Sequence, residues 1–73
     1  MKQAYAATVV FNTLEGVEEV ERFALSIIID INPKKAEQRA IQTVQRNENN
    51  PRIRNVILLP LDIPRIQQEL AKP

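Results

Sequence analysis

Residues 14–17 are Leu14-Glu15-Gly16-Val17, and Gly16 is the only glycine in the chain. Runs rich in β-branched and other apolar residues lie on both sides of this stretch, over residues 3–14 and about 18–31. Glycine adopts a positive φ without the steric cost that other residues incur, so a lone glycine between two such runs is typical of a hairpin turn. The sequence therefore predicts two antiparallel strands that meet at Gly16.

The register of this hairpin determines which side chains share a face of the sheet, because a slip of one residue moves every side chain to the other face. We expect a register in which Val9 lies opposite Phe23 and Ala7 lies opposite Leu25, with a three-residue loop over residues 15–17. This choice buries the large apolar residues of both strands together. The two rows that would share the buried face are Tyr5, Ala7, Val9 and Phe11 on strand one and Phe23, Leu25, Ile27 and Ile29 on strand two.

The second half of the chain predicts a helix, a third strand and a short last helix. Asn32-Pro33 combines a preferred N-cap with a proline at the first helical position, so a helix should run from residue 33 to about residue 47. Strand three follows over residues 53–61, and Asp62 can cap a helix over residues 63–71, with Ile63, Ile66 and Leu70 buried against the sheet end. The predicted inward stripe of the first helix consists of Ala36, Ala40, Ile41, Val44 and Thr43.

These elements predict one small α+β domain over residues 1–73, in the order β-β-α-β-α. Strand three is expected beside strand one, which gives an antiparallel sheet of order 2-1-3. The first helix should cover the sheet face that carries Phe23, Leu25 and Ile27 together with Val9 and Phe11.

The composition restricts the chemistry that the chain can perform. The 73 residues include no cysteine and no histidine, which excludes disulfides, zinc sites built on those residues, and Ser–His or Cys–His catalysis. We interpret the glutamates at residues 15–21 as solvated charge at a hairpin end and expect no metal, no cofactor and no enzymatic activity. The chain lacks a signal-peptide pattern and an apolar run of about 20 residues, which predicts a cytoplasmic protein without membrane contact.

The net charge of +1 conceals an uneven distribution along the chain. Residues 1–30 hold two basic and five acidic residues, whereas residues 31–54 hold six basic and two acidic residues. The basic segment is the basis of an alternative function, the binding of nucleic acid through phosphate contacts. Its candidate contact residues are Lys34, Lys35, Arg39, Arg46, Arg52 and Arg54.

A candidate contact surface lies on the sheet face that the helix is expected to leave uncovered. Solvated faces usually carry Lys, Glu or Thr, whereas this one is built mostly from small apolar residues, which favours a contact with another protein. Strand three would extend it through either Val56 and Leu58 or Ile57 and Leu59. The candidate residues on strands one and two are Ala4, Ala6, Thr8, Val10, Arg22, Ala24, Ser26 and Ile28.

Strand two is an edge strand in this arrangement. From residue 23 to residue 29 it carries no charge, proline or glycine, and such an edge can pair with another strand. A domain of this size without a disulfide or a metal often gains stability by self-association. We therefore expect a homodimer through strand two, and stacking through the small-residue face is the competing geometry.

Three features of the chain suggest a relationship to a known class of proteins. They are the acidic turn Leu14-Glu15-Gly16-Val17-Glu18-Glu19, the helical segment Ala36-Glu37-Gln38-Arg39-Ala40, and the short strand that follows. This layout resembles small proteins encoded by bacteriophages and mobile elements, including some anti-CRISPR inhibitors. The resemblance implies a non-enzymatic protein that binds a host protein complex, and it carries over no individual functional residue.

Overall fold

The computed structural model describes residues 2–72, and the order of its elements agrees with the sequence prediction. The elements are β1 (Gln3–Glu15), β2 (Glu18–Asp30), α1 (Pro33–Asn47), β3 (Arg52–Leu61) and α2 (Ile63–Ala71). The three strands form an antiparallel sheet of order β2-β1-β3. The predicted α+β class, element order and strand order are therefore confirmed.

The predicted hairpin register was wrong by one residue. Glu15 pairs with Glu18, so the loop contains only Gly16 and Val17, and Phe23 lies opposite Val10 rather than Val9. Gly16 has a φ of 64°, which is what a type II′ turn requires of its first central residue. This turn matches the right-handed twist of the strands, and it outweighed the preference for burying the large apolar side chains of both strands on one face.

The hydrophobic core lies between α1 and one face of the sheet. The sheet contributes Tyr5, Ala7, Val9, Phe11 and Ile28, and α1 contributes Ala36, Ala40 and Val44. Ala24 of β2 and Val56 of β3 pack against the margin of this core. Small residues on both sides allow the helix to lie close to the sheet, so the short-loop register places β2 residues that fit beneath α1.

Two predictions about α1 need correction. The helix does not cover Phe23, Leu25 and Ile27, because the observed register turns these side chains to the opposite face of the sheet, where they are exposed. Of the predicted inward stripe, Ile41 is only partly buried and Thr43 is exposed. The Thr43 hydroxyl instead donates to the carbonyl oxygen of Arg39 one turn earlier, at 2.9 Å.

Both ends of α1 follow from local sequence. Asn32 Oδ1 accepts a hydrogen bond from the Lys35 N–H at 2.8 Å, and Pro33 occupies the first turn, as predicted. The Glu48 N–H donates to the Val44 carbonyl oxygen at 2.9 Å. Asn50 then adopts a φ of 50°, a left-handed conformation that asparagine tolerates better than most residues, and the chain turns into β3.

The C-terminal helix α2 has the predicted N-cap but not the predicted packing. The Arg65 N–H donates to Asp62 Oδ1 at 3.1 Å. Ile63, Ile66 and Leu70 were expected to be buried, yet all three are exposed. Only Asp62 separates β3 from α2, and strand-to-helix connections that fold back onto a sheet usually need at least two residues. The apolar stripe of α2 therefore faces solvent.

Candidate interaction surface

The sheet face opposite to α1 carries three rows of side chains, and we refer to it as the open face. The cross-strand pairs define it, since Thr8 lies between Leu25 and Ile57, and the neighbouring pairs follow the same pattern. The rows are Ala4, Ala6, Thr8 and Val10 on β1, Phe23, Leu25, Ile27 and Ile29 on β2, and Ile57 and Leu59 on β3.

The two outer rows of the open face expose six large apolar side chains to solvent. Leu25 is the most exposed of them, at 79% of its surface. Side chains of this type present on the order of 100 Å² each, which places the patch near the upper end of the range of about 300–600 Å² for the largest patch on a monomer. Patches of this size on small proteins often mark contact sites.

The open face has the shape of a shallow trough. Its central row on β1 consists of small or medium side chains that are buried or partly buried, such as Ala4 and Ala6. The outer rows stand on β2 and β3, which are two strand spacings apart, or about 10 Å. This separation is close to the diameter of about 10–12 Å of an α-helix with its side chains.

The residues of the contact surface that was predicted from the sequence lie on both faces of the sheet. Ala4, Ala6, Thr8 and Val10 do lie on the open face, and Ile57 and Leu59 extend it rather than Val56 and Leu58. The prediction that four β2 residues share this face with the β1 residues was wrong, because the hairpin loop contains two residues instead of the expected three. The residues that belong to the covered face are Arg22, Ala24, Ser26 and Ile28.

The β2 residues that contribute most of the exposed apolar surface of the open face were not predicted to lie there. The four large β2 residues at positions 23, 25, 27 and 29 were assigned to the core. The signal that could have identified them is the position of Gly16, since glycine at the first of two central positions is the mark of a type II′ hairpin.

One end of the open face is polar. Asn12 Nδ2 donates to Glu19 Oε1 at 2.9 Å, and Arg52 Nη1 lies 3.6 Å from the same oxygen. Asn12 is buried, and its Oδ1 atom has no hydrogen-bond donor among residues 2–72. Of the other hairpin glutamates, Glu15 forms an ion pair with Arg22 on the covered side. The apolar trough is therefore closed at the hairpin end by a hydrogen-bonded polar group.

The outer edge of β2 carries unpaired backbone groups. A two-residue loop closes with a hydrogen-bonded pair, here Glu15 and Glu18, and such pairs then alternate along the ladder. The even-numbered residues of β2 therefore bond to β1, and the odd-numbered residues direct their N–H and C=O groups outward. Among residues 2–72, the outward N–H groups of Phe23, Leu25 and Ile27 have no partner.

The last outward carbonyl group of β2 accepts a hydrogen bond from a cationic side chain. Arg39 Nη1 of α1 donates to the carbonyl oxygen of Ile29 at 2.7 Å and lies 3.4 Å from Asp30 Oδ2. The hydrogen bond from the Ile31 N–H, assisted by Arg39 and Lys35, holds the pKa of Asp30 below its usual value. Asp30 therefore stays ionised and keeps Arg39 at this end of the strand near neutral pH.

The opposite edge of the sheet, on β3, is less available. By the same alternation, Val56 and Pro60 direct their backbone outward, and the Val56 N–H already donates to Asn55 Oδ1 at 2.9 Å. Pro60 has no N–H to offer, and the pairing of β3 with β1 is interrupted by a bulge next to Phe11. Strand β2 therefore presents the better template for another strand.

The basic residues that were predicted to contact phosphates lie in two places. Lys34 and Lys35 lie in the first turn of α1 and Arg39 lies near its middle. Arg46 lies at the helix end, about 18 Å from Lys34 along the axis, and Arg52 and Arg54 lie at the start of β3. Arg39 and Arg52 are engaged with Asp30 and Glu19, respectively. Lys34, Lys35 and Arg39 therefore form one group, and Arg46, Arg52 and Arg54 form the other.

Comparisons with family models, with curated proteins and with solved structures found no match for this chain. Within the described part of the chain, neither helix has the length and apolar character needed to cross a bilayer.

Proposed function

We propose that the chain is a non-enzymatic protein-interaction module and that the open face is its contact surface. The observation that carries this proposal is the exposure of six large apolar side chains on one sheet face. Leaving these side chains in water forgoes the free energy of burying them, about 25 cal/mol per Å² of apolar surface, which a partner would recover.

The occupant that fits this face best is an amphipathic helix of another protein. The backbone groups of β1 beneath the trough are already paired with β2 and β3, so a partner would be held by side-chain packing. A helix of about 10–12 Å diameter laid along the central row would contact both outer rows, which stand about 10 Å apart. The resemblance to phage-encoded inhibitors makes a host protein complex the class of partner that we expect first.

The proposal predicts that a negative charge on the open face abolishes binding of the partner. We expect tagged wild-type protein to retain a partner from extracts of its native host, and Leu59→Glu to lose it, because the charge would have to be buried in an apolar contact. The control is Val17→Glu, which places the same charge at the hairpin tip, where Val17 is 98% exposed.

Mass spectrometry of the retained proteins checks this result, after circular dichroism has shown that both variants fold. A partner retained by wild type and Val17→Glu but lost by Leu59→Glu supports the proposal. If all three proteins retain the same set, the open face is not the contact surface.

For the alternative function, we expect binding to mixed-sequence duplex DNA or single-stranded RNA no tighter than about 10⁻⁴–10⁻⁶ M at physiological salt. The physical reason is that the basic residues are spread along α1 and the start of β3, and two of them are already paired with carboxylates. Fluorescence anisotropy titrations measure this affinity. Nanomolar binding that is lost in Lys35→Glu would instead make nucleic-acid binding the leading function.

A further inference from the structure

We propose that a second copy of this chain pairs antiparallel with the outer edge of β2, centred on Leu25. A two-fold axis at Leu25 would join the two three-stranded sheets into one sheet of six strands. This inference goes beyond the proposed function, since it uses the backbone edge of β2 and leaves the open face of each copy uncovered.

The register follows from which unpaired outward groups belong to uncharged residues of β2. Glu19 and Glu21 also direct backbone groups outward but carry charged side chains, so the uncharged part of the unpaired run consists of Phe23, Leu25 and Ile27. It ends at Ile29, whose carbonyl already accepts from Arg39. The centre of this run is Leu25, so Leu25 pairs with its own copy and Phe23 pairs with Ile27 of the other chain. Each residue exchanges two hydrogen bonds with its partner, and every unpaired N–H and C=O group of the run is satisfied.

The side chains favour the same arrangement. Residues 23, 25 and 27 all lie on the open face, so the pairing places large apolar side chains of the two chains directly opposite each other. Cross-strand pairs of aromatic and aliphatic residues stabilise antiparallel sheets. The pairing also makes the two open faces continuous.

The charges at the two ends of β2 are complementary in this geometry. The hairpin end carries Glu18, and the helix that follows the other end begins with Lys34 and Lys35. An antiparallel pairing centred on Leu25 sets Glu18 level with Asn32 of the copy, next to the first turn of its α1. The acidic end of each chain therefore meets the basic end of the other.

Single cysteines test the register, because the chain has no cysteine of its own. In the proposed dimer, the Cα atoms of two Leu25→Cys chains are about 5.5 Å apart, within the range of about 4.4–6.8 Å that a disulfide spans. Leu25 is exposed, so the substitution should leave the fold intact. We expect mild oxidation to convert most of this variant to a covalent dimer on a non-reducing gel.

Phe23→Cys is the matched control, since it lies on the same strand and the same face. Its two copies would be four residues apart along the pairing, or about 14 Å, and should not crosslink. An equimolar mixture of Phe23→Cys and Ile27→Cys should crosslink to each other. If Leu25→Cys forms a disulfide no faster than Phe23→Cys, the proposed register is wrong.

Light scattering tests the dimer itself. We expect twice the single-chain mass of 8.4 kDa at tens of micromolar, and a single-chain mass with an intact fold would overturn the proposal. Leu59→Glu should remain dimeric, because β3 lies two strands away from the β2 edge. Failure of the dimer and failure of the partner-binding proposal are therefore distinguishable.

Discussion

Replacement of Phe11 by alanine should lower the free energy of unfolding by about 3–5 kcal/mol. Phe11 is only 2% exposed and is the largest of the fully buried side chains in the core between α1 and the sheet. Its removal takes away apolar burial and leaves a cavity that the surrounding strands can only partly fill. A single core of this size rarely supplies more than about 3–5 kcal/mol, so most of the variant should be unfolded at 25 °C.

Far-UV circular dichroism and urea unfolding measure this effect. Phe11→Leu is the control, because it retains most of the volume and the apolar character and should lose much less stability. A cooperative urea transition for Phe11→Ala with a loss below about 1 kcal/mol would show that Phe11 is not a core residue.

Substitutions at two adjacent isoleucines should separate the two possible hairpin registers. Ile28→Ala should cost about 2–5 kcal/mol, because Ile28 is 7% exposed and packs beneath α1. Ile27→Ala should cost about 0.5 kcal/mol or less in the monomer, because Ile27 is 68% exposed on the open face. The same residue type at neighbouring positions removes most other differences between the two variants.

Urea unfolding at a protein concentration low enough to keep the chain monomeric gives both values. A larger loss for Ile27→Ala would contradict the two-residue loop and restore the register with a three-residue loop, whereas equal losses would show that both faces of β2 are buried. A larger loss for Ile27→Ala only at high protein concentration would instead report the β2 edge contact, since Ile27 lies opposite Phe23 of the second copy in that pairing.

The edge of β2 and the open face are separate surfaces, so both can be in contact at the same time. Pairing along β2 uses backbone groups, whereas the open face offers side chains whose backbone is already hydrogen-bonded within the sheet. A six-stranded dimer would present two troughs side by side, and a partner could engage both. The substitutions at Leu25 and Leu59 distinguish the contributions of the two surfaces.

Part of the candidate site could be predicted from sequence because it depends on strand order. The prediction that β2 is an edge, and that its uncharged run is exposed there, required only the number of strands and their sequence. The composition of the open face could not be predicted in the same way. The side chains of Phe23 and Ala24 point to opposite faces of the sheet. An error of one residue in the loop length therefore places the small side chains of β2, instead of its large apolar ones, on the open face.

The sequence by itself determined the elements and, to within about a residue, their boundaries, because the signals for these are local. Asn32-Pro33 and Asp62 begin the two helices, and Gly16 marks the hairpin. Only the tertiary structure decided which face of the hairpin α1 covers. That choice depends on contacts between residues distant in the chain, since Ala36 and Ala40 come close to the sheet where β2 presents small residues beneath the helix. Close packing of small residues in the core, rather than burial of every large apolar side chain, therefore left the open face exposed.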